Sequence, residues 1–411
     1  MKNGIFVTKF TFSMSKHGKV VVGLSGGVDS SVAAKLLLDQ GYEVIGAFML
    51  NWDDVRYTKT DEMHWIKDSE DARKVARHLG IPFHIFDFRE KYFQRVIDYM
   101  FREYERGHTP NPDILCNREI KFDLFWEEAR KYGVDFVATG HYARKESVEI
   151  DGKTVYRLLA GIDSKKDQSY FLCQLSQEQL AHALFPVGEL EKTRVRQIAS
   201  ESGLITADKK DSQGLCFVGK VHLPDFLKQQ LAPKEGDIVY IPREFYHSIS
   251  IPETFPDERK RLEFLSRKYQ YRPEDGRVVG KHQGAHYFTV GQRKGLNIGG
   301  FKQRTFVIAT DTLKNIVYIG EHYTHPGLYR RVLKIPETDI HWIRKDLRPA
   351  AGENIRVRAR IRHQQPLQDA TVHVFEDFTF IEFDRPQQGV AQGQFVAWYI
   401  EDELLGSGVI D

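Results

Sequence analysis

The sequence is poor in cysteine, with three among 411 residues, and it contains no long apolar run. So few cysteines exclude a disulfide-stabilised scaffold and favour a reducing, cytoplasmic location. No stretch approaches the roughly 20 apolar residues of a membrane helix, so we expect no membrane partner. A formal net charge of +2 means that any nucleic-acid surface must come from how the charges are placed. The N-terminal segment shows no secretory signal pattern, and either Met1 or Met14 fits as the start.

The first half of the chain alternates apolar, strand-like segments with segments of helical periodicity. Strands separated by helices predict right-handed crossovers and a parallel sheet covered on both faces. We therefore predict an α/β, Rossmann-like domain over residues 16–218. Its expected strands are Val20–Leu24, Tyr42–Met49, Pro82–Phe88 and Asp135–Thr139, and its expected helices are Ser30–Gln40, Asp68–Leu79, Glu90–Arg106 and Ile120–Tyr132.

The second half has a different character. A hairpin turning at Asp151-Gly152 interrupts the alternation. We predict that residues 219–300 form a small central linking domain. Within it, the segment 241–276 is charged and interrupted by prolines, and we interpret it as a surface insertion. Residues 301–411 contain short alternating strands with turn signals, which predict a β-barrel or sandwich.

The stretch "VVVGLSGGVDSS" joins an apolar strand to a helix through Gly26 and Gly27. Glycines let backbone N–H groups approach an anion, and the helix N-terminus favours negative charge. The Walker pattern is absent because no lysine follows the glycines. The motif "SGGVDS" resembles the PP-loop of the ATP pyrophosphatases. That resemblance implies cleavage between the α- and β-phosphates, where the loop cradles the departing pyrophosphate.

Two cysteines lie in polar, loop-like contexts. In "GHTPNPDILCNREIKF" two prolines predict an extended, non-helical loop that places Asp113 and Cys116 at the mouth of a helix starting at Ile120, where the helix dipole would favour a thiolate. The alternative is a proline turn with an incidental half-buried cysteine. Cys216 lies in "KKDSQGLCFVG" beside two lysines, whereas apolar neighbours predict that Cys173 is buried.

Six motifs in series resemble those of the tRNA-specific 2-thiouridylases, the MnmA family: "SGGVDSS", "TPNPDILCN" with "IKF", "ATGHYAR", "KDQSYFL", "SQGLCFVG" and "GQRKGL". The resemblance runs from about Lys19 to Leu296, with a weaker match through "RPQQGVAQGQFVAWY". It implies a PP-loop domain of the adenine nucleotide alpha hydrolase-like fold, a small central domain and a C-terminal β-barrel. The implied activity is ATP-dependent adenylation and 2-thiolation of the wobble uridine of tRNA. Two departures from the family pattern are the insertion after Tyr240 and Gln392 in place of a more usual proline.

The resemblance also implies roles for individual residues. Cys116 is the expected nucleophile, Cys216 the expected carrier of a persulfide, and Asp113 a group for proton transfer. No metal held by the protein alone is implied, since magnesium arrives with ATP. The expected ATP-binding residues are Gly23, Leu24, Ser25, Gly26, Gly27, Val28, Asp29, Ser30, Met49 and Gly140. Contacts with tRNA or its target base are expected at Asn111, Pro112, Asp113, His141, Lys166, Asp167, Gln168, Arg362, His363 and Gln394.

The implied chemistry suits these residue types. Adenylation turns the uridine oxygen into part of AMP, a good leaving group, and the transient persulfide sulfur then displaces it. Cys116 either releases sulfide from the persulfide or is oxidised against Cys216 after transfer, and both routes leave a disulfide for an external thiol to reduce. The expected partners are tRNA and a sulfur donor, either a sulfur-relay protein or a cysteine desulfurase.

A basic strand could supply part of the RNA surface. In "NIRVRARIRH" alternation predicts that Arg356, Arg358, Arg360 and Arg362 share one face, which could lie against phosphates or simply face solvent.

Two other functions compete with thiolation. A PP-loop synthetase or ligase, such as an NAD or GMP synthetase, would lack the paired cysteines, and a non-catalytic RNA-binding protein would not need the intact glycine loop.

Overall fold

The structure is a computed structural model that describes residues 17–52, 64–211, 223–228 and 230–411. Within those ranges, no helix combines the length and the apolar character required to cross a membrane. The described strands belong to three sheets, one in the N-terminal part, one in the central part and one that is mainly C-terminal.

The N-terminal sheet is parallel throughout and has the strand order β3-β2-β1-β4-β7. The strands of this part of the chain are β1 (Lys19–Gly23), β2 (Glu43–Leu50), β3 (Phe83–Asp87), β4 (Phe136–Ala138), β5 (Ala143–Ile150), β6 (Lys153–Ala160) and β7 (Ala183–Leu184). Its helices are α1 (Val28–Asp39), α2 (His64–Leu79), α3 (Arg89–Tyr92), α4 (Asp98–Glu105), α5 (Pro112–Leu115), α6 (Phe125–Arg130), α7 (Gln177–His182) and α8 (Lys192–Glu201).

The central strand β1 shows why its sequence is continuously apolar. Val20, Val21 and Val22 have no exposed surface. Val21 packs into the hydrophobic cluster on one face of the sheet, whereas Val20 and Val22 pack into the cluster on the other. Both faces are covered, as expected for a parallel sheet.

The cysteine motif folds differently from the prediction. Residues 112–130 form one continuous helical segment, in which the π-helical turns Cys116–Leu124 connect α5 to α6. The expected extended loop over Asn111–Asp113 is wrong: Asn111 caps the helix by accepting from Ile114 N, and Pro112 occupies the first helical position. Proline is compatible with that position because the first N–H groups of a helix have no intrahelical partner.

The predicted hairpin is confirmed, but it extends a sheet that the sequence did not indicate. β5 and β6 turn at Asp151 and Gly152, both with positive φ. Leu158 and Leu159 of β6 then pair with Leu404 and Glu403, near the end of the chain. The N-terminal part and the C-terminal strands therefore share backbone hydrogen bonds.

The strands expected from residue 301 onward divide between two sheets. The central sheet has the order β10-β11-β8-β9 and contains β8 (Gly236–Tyr240), β9 (Arg277–His282), β10 (Thr305–Asp311) and β11 (Ile316–Glu321). Sheet membership therefore changes after Glu321 rather than at residue 301. The other strands, joined by β5 and β6, form the third sheet: β12 (Tyr329–Pro336), β13 (Ile340–Trp342), β14 (Asn354–Arg360), β15 (Gln368–Val374), β16 (Phe378–Gln388), β17 (Phe395–Ile400) and β18 (Glu403–Val409).

The segment 241–276 is not only a surface insertion. After the short helix α9 (Leu223–Leu227) and β8, it contributes α10 (Glu258–Leu265), whose Leu262 has no exposed surface and packs with Val332 and Phe380. Arg261 of α10 bonds both carboxylate oxygens of Glu382 on β16, at 2.9 and 2.6 Å. The segment thus fastens the central part to the C-terminal sheet.

One cluster at this junction has metal-ligand residue types. Glu258, His373 and Glu382 bring their ligand atoms within 4.8 Å of one another. Arg261 already pairs with both carboxylates, reaching Glu258 at 2.6 Å and Glu382 at 2.6 Å. The cluster is therefore occupied by an ion pair, and a cation would have to displace a guanidinium.

Replacement of Leu262 tests whether this contact stabilises the fold. We expect Leu262→Ala to destabilise the protein by about 2–5 kcal/mol because it leaves a cavity against Val332 and Phe380. The measurement is thermal unfolding of the purified variants. Leu313→Ala is the matched control, since Leu313 is 95% exposed; equal melting temperatures for the two variants would show that α10 does not support the fold.

Candidate nucleotide-binding and catalytic site

The glycine loop lies between the end of β1 and the start of α1. Gly26 has φ +72°, and a side chain there would begin 2.3 Å from the carbonyl oxygen of Asp68. Gly27 precedes α1, and no side chain caps the helix there. The N–H groups of the first turn are therefore directed toward the loop, where an anion would find both donors and the positive end of the helix dipole.

The strand β4 closes the loop from the other side. A Cβ at Gly140, just after β4, would lie 2.7 Å from backbone atoms of Asp29 and Ser30. No larger residue fits without moving α1. This close approach explains why two glycine motifs that are far apart in sequence meet at one site.

A cavity of about 450 Å³ lies beside the loop, at the carboxyl ends of β1, β2 and β4. In open parallel sheets this edge, where strand order reverses, is the usual ligand site. Nine of the ten expected ATP-binding residues line the cavity, all except Gly26: Gly23, Leu24, Ser25, Gly27, Val28, Asp29, Ser30, Met49 and Gly140. The residues expected to contact tRNA that also line it are His141, Lys166, Gln168 and His363.

Sequence reasoning missed the most important cation of this site. Lys192, at the first position of α8, places Nζ 2.7 and 2.8 Å from the two carboxylate oxygens of Asp29. The same Nζ lies 2.8 Å from Asp211 Oδ1 and 5.7 Å from the centre of the Tyr142 ring. A lysine in the first turn of a helix opposes the helix dipole, and this local conflict is the signal that could have identified it.

The pKa values of Tyr142 and Asp211, two neighbours of Lys192, determine the protonation states of these side chains. Burial, and then the Asp29 carboxylate, raise the pKa of Tyr142, so its hydroxyl stays protonated and donates to Asp29 Oδ1 at 2.7 Å. Burial alone would raise the pKa of Asp211, but Lys166 and Lys192 outweigh burial and lower that pKa to about 2. Of the residues that the structure describes, five lysines and three aspartates line the cavity, which favours a polyanion: Lys121, Lys165, Lys166, Lys192 and Lys210 against Asp29, Asp68 and Asp211.

His141 is buried in the cavity wall. Burial, and then the charge of Lys121, lower its pKa well below the usual value, so the imidazole is neutral at physiological pH. Its Nδ1 lies 2.7 Å from the Thr139 hydroxyl. The His363 ring lies tilted against Phe171, with the ring centres 4.4 Å apart, and lines the same cavity. Burial, and then the charge of Arg360, lower its pKa, so both histidines favour the neutral form.

Asp167 and Arg360 face inward rather than toward solvent. Arg360 Nη2 donates to Asp167 Oδ2 at 2.6 Å, and both side chains are less than a tenth exposed. The expectation that four arginines share an open strand face is therefore wrong for Arg360. Of the others, Arg356 pairs with Asp384, and Arg358 donates to the carbonyl of Glu401.

The residues around the expected target base lie outside the cavity lining. Gln394 donates to the carbonyl oxygens of Thr109 and Pro110, at 2.7 and 3.3 Å, and accepts from Asn111 at 3.5 Å. Gln394, near the end of the chain, therefore fixes the position of residues 109–110, which lead into the Asn111 helix cap. Arg362 donates to the carbonyl of Gly389, which lies in the same C-terminal part of the chain as Gln394.

Two of the three cysteines lie among the described residues, and both are buried in the same hydrophobic cluster. Cys116 has no exposed surface and belongs to the main hydrophobic cluster, in the second turn of its helix rather than at the mouth. Cys173 is buried, as predicted, and burial raises the pKa of its thiol to about 12. Cys216 lies outside the described residues, so its expected pairing with Cys116 stays a prediction.

Comparison with known proteins agrees with this architecture. The chain matches family models described as tRNA methyl transferase HUP domain over residues 18–220, tRNA methyl transferase PRC-barrel domain over 266–321 and Aminomethyltransferase beta-barrel domain over 333–410. These matches confirm the predicted fold class, a Rossmann-like domain followed by a central domain and a β-barrel.

Individual relatives cover nearly the whole chain. The tRNA-specific 2-thiouridylase MnmA of Christiangramia forsetii is 58% identical over 392 residues, which cover 95% of this chain and 99% of that protein. The Bacillus subtilis protein of the same name is 43% identical over 397 residues, which cover 96% of this chain and 95% of that protein. A solved 4-thiouridine synthetase–RNA complex with bound ATP is 21% identical over 52% of this chain and 50% of that chain, with a TM-score of 0.30, too low to support a conclusion. The identities over nearly full length show that this chain belongs to the tRNA-specific 2-thiouridylase family.

Proposed function

We propose that this chain is an ATP-dependent sulfurtransferase that replaces the 2-oxygen of the wobble uridine in tRNA by sulfur. The observation that carries the proposal is the cavity of about 450 Å³, in which the glycine loop lies beside four residues expected to contact RNA. A nucleotide can therefore meet RNA there. Membership of the 2-thiouridylase family supports the same reaction.

The first step is adenylation of the base. The uridine oxygen attacks the α-phosphorus of ATP, the bond from that phosphorus to the bridging oxygen breaks, and pyrophosphate leaves. Backbone N–H groups of the glycine loop and the ammonium of Lys192 stabilise the negative charge that builds up on the departing group. Lys192 thereby supplies the charge that a Walker lysine supplies elsewhere, from a helix that starts 163 positions after Asp29.

The carboxylates of the cavity suit the magnesium that accompanies ATP. Magnesium prefers one or two carboxylates together with phosphate oxygens, and Asp29 and Asp68 both line the cavity. The ion supplies neutralisation of phosphate charge. Asp29 would then be shared between the ion and Lys192, which frees part of the lysine's hydrogen-bonding capacity for phosphate.

The second step is sulfur transfer. The terminal sulfur of a persulfide on Cys216 attacks C2 of the adenylated base, and AMP leaves with the base oxygen. Cys116 then attacks the Cys216 sulfur of the resulting base–S–S–Cys216 linkage, which releases 2-thiouridine and leaves a Cys116–Cys216 disulfide. In the alternative route Cys116 attacks the persulfide first, forming the same disulfide and releasing sulfide, and this sulfide attacks C2 and displaces AMP in place of the persulfide. An external thiol reduces the disulfide in both routes. A sulfur-relay protein or a cysteine desulfurase would load Cys216.

The burial of Cys116 makes a movement necessary. Its thiol belongs to the hydrophobic cluster and has no exposed surface, so the reaction requires the start of this helix to open when tRNA binds. The π-helical turns begin at Cys116 itself. Such turns are rare and are frequent at functional sites, which supports opening at this point.

Cysteine substitution tests the proposed function directly. We expect the native protein, incubated with unmodified tRNA, ATP, magnesium and a persulfide source, to form 2-thiouridine detected by mass spectrometry of the nucleosides. Cys116→Ser and Cys216→Ser should each abolish that product while ATP and tRNA still bind. Cys173→Ala is the control and should retain activity; thiolated tRNA from either serine variant at the native level would refute the persulfide scheme.

Replacement of Lys192 tests the source of positive charge. Lys192→Ala should slow AMP formation on the order of 100-fold, because one preorganised electrostatic contact to the departing group is lost. Lys35→Ala is the matched control, since the half-buried Lys35 lies on α1 and pairs with Asp39 of the same helix. The measurement is the rate of AMP release in a single turnover. If Lys192→Ala releases AMP as fast as Lys35→Ala, Lys192 takes no part in the mechanism.

A further inference from the structure

A second groove, of about 780 Å³, lies between the chain that follows α10 and the edge strand β12. Four cationic side chains line it, two from each segment: Arg267, Lys268, Arg330 and Lys334. Among the described residues, its acidic lining consists of Glu263 and Asp411. The groove is therefore positive, although the whole chain is almost neutral.

The two carboxylates do not balance these cations. Glu263 is engaged by Arg259 and Lys260 of its own helix, at 3.1 and 2.9 Å. Asp411 reaches Lys268 only at 3.5 Å. Arg267 and Lys334 lie over aromatic rings instead, and among the described residues neither comes within ion-pair distance of a carboxylate.

Arg330 is the clearest sign of a missing anion. Its Nε is buried and has no hydrogen-bond partner in the described part of the chain. Within that part of the chain, its terminal nitrogens donate to main-chain oxygens of Asp411 and Ser266, each at a long 3.3 Å, and Asp411 supplies the nearby negative charge. Burial lowers the pKa of this guanidinium to about 10, which still leaves it charged at neutral pH. A buried charge with so little compensation is costly unless a ligand completes it.

Hydrogen bonds connect this groove to the segment before the expected base-binding residues. Gln392 Nε2 donates to Asp411 Oδ1 at 3.4 Å, and the carbonyl of Gln392 accepts from Thr109 N at 2.7 Å. Thr109 lies two positions before Asn111, where the target base is expected. An RNA strand that delivers its base there passes close to the groove.

We propose that this groove binds phosphodiester groups of the tRNA next to the target nucleotide. The inference rests on the proposed function, since it takes tRNA to be the substrate. The segment 241–276 then has a second role besides connecting the sheets, because Arg267 and Lys268 belong to this segment. Phosphate contacts of this kind position RNA without reading its sequence.

A pair of double variants with equal charge change tests the proposal. Arg267→Gln/Lys268→Gln removes two exposed cations of the groove, and Lys35→Gln/Lys153→Gln removes two cations elsewhere, the half-buried Lys35 on α1 and the exposed Lys153 at the β5–β6 turn. Binding of unmodified tRNA is measured over a range of salt concentrations. The groove variant should bind about tenfold more weakly at low salt, and its log–log salt slope should be smaller by about 1.4–1.8, since each lost phosphate contact removes about 0.7–0.9. The control variant should keep the native slope.

Other outcomes overturn the inference. Equal slopes for the two double variants would show that the groove makes no phosphate contact, and Lys334→Gln provides an independent check on the β12 side. Unchanged tRNA binding with slower loading of sulfur from a protein donor would assign the groove to a protein instead. Failure of the native protein itself to bind tRNA would contradict the proposed function, which distinguishes that failure from failure of the groove alone.

Discussion

The contact between the Lys192 ammonium and the Asp29 carboxylate, at 2.7 and 2.8 Å, is the interaction on which the nucleotide site depends. A glycine loop holds phosphate through backbone N–H groups, but it carries no charge of its own. In the proposed mechanism Lys192 supplies that charge from α8, while Asp29 keeps the ammonium beside the loop. Gly140 makes the arrangement possible, because any side chain there would push α1 away from β4. The missing Walker lysine is thus replaced through tertiary structure.

The catalytic domain and the C-terminal sheet are connected in ways that bear on RNA binding. The β5–β6 hairpin pairs with β18, so backbone hydrogen bonds cross from one part to the other. Gln394 holds the segment before Asn111, and Asp167 forms a buried ion pair with Arg360. Such contacts fix the position of the barrel relative to the cavity. In the proposed function, RNA bound by the barrel would therefore be held at a defined distance from the glycine loop.

Features encoded by neighbouring residues were predictable from the sequence, whereas features that depend on distant contacts were not. The buried strand β1, the glycine loop and the Asp151-Gly152 turn each follow from a local pattern, and the structure contains all three. Pro112 misled the prediction, because a proline that excludes the middle of a helix suits its first position. Arg360 was placed on an open face because strand alternation cannot reveal a partner such as Asp167. Lys192 carries no motif of its own, and only folding brings it to Asp29.

The central claim is that the base oxygen leaves as part of AMP, and an isotope label tests it most directly. Uridine labelled with oxygen-18 at its 2-position would be placed at the wobble position of the tRNA and converted by the native protein in the presence of ATP and a persulfide source. The account predicts one oxygen-18 atom in AMP for each 2-thiouridine formed, and none in pyrophosphate. Label found in water or pyrophosphate, with unlabelled AMP, would contradict adenylation of the base.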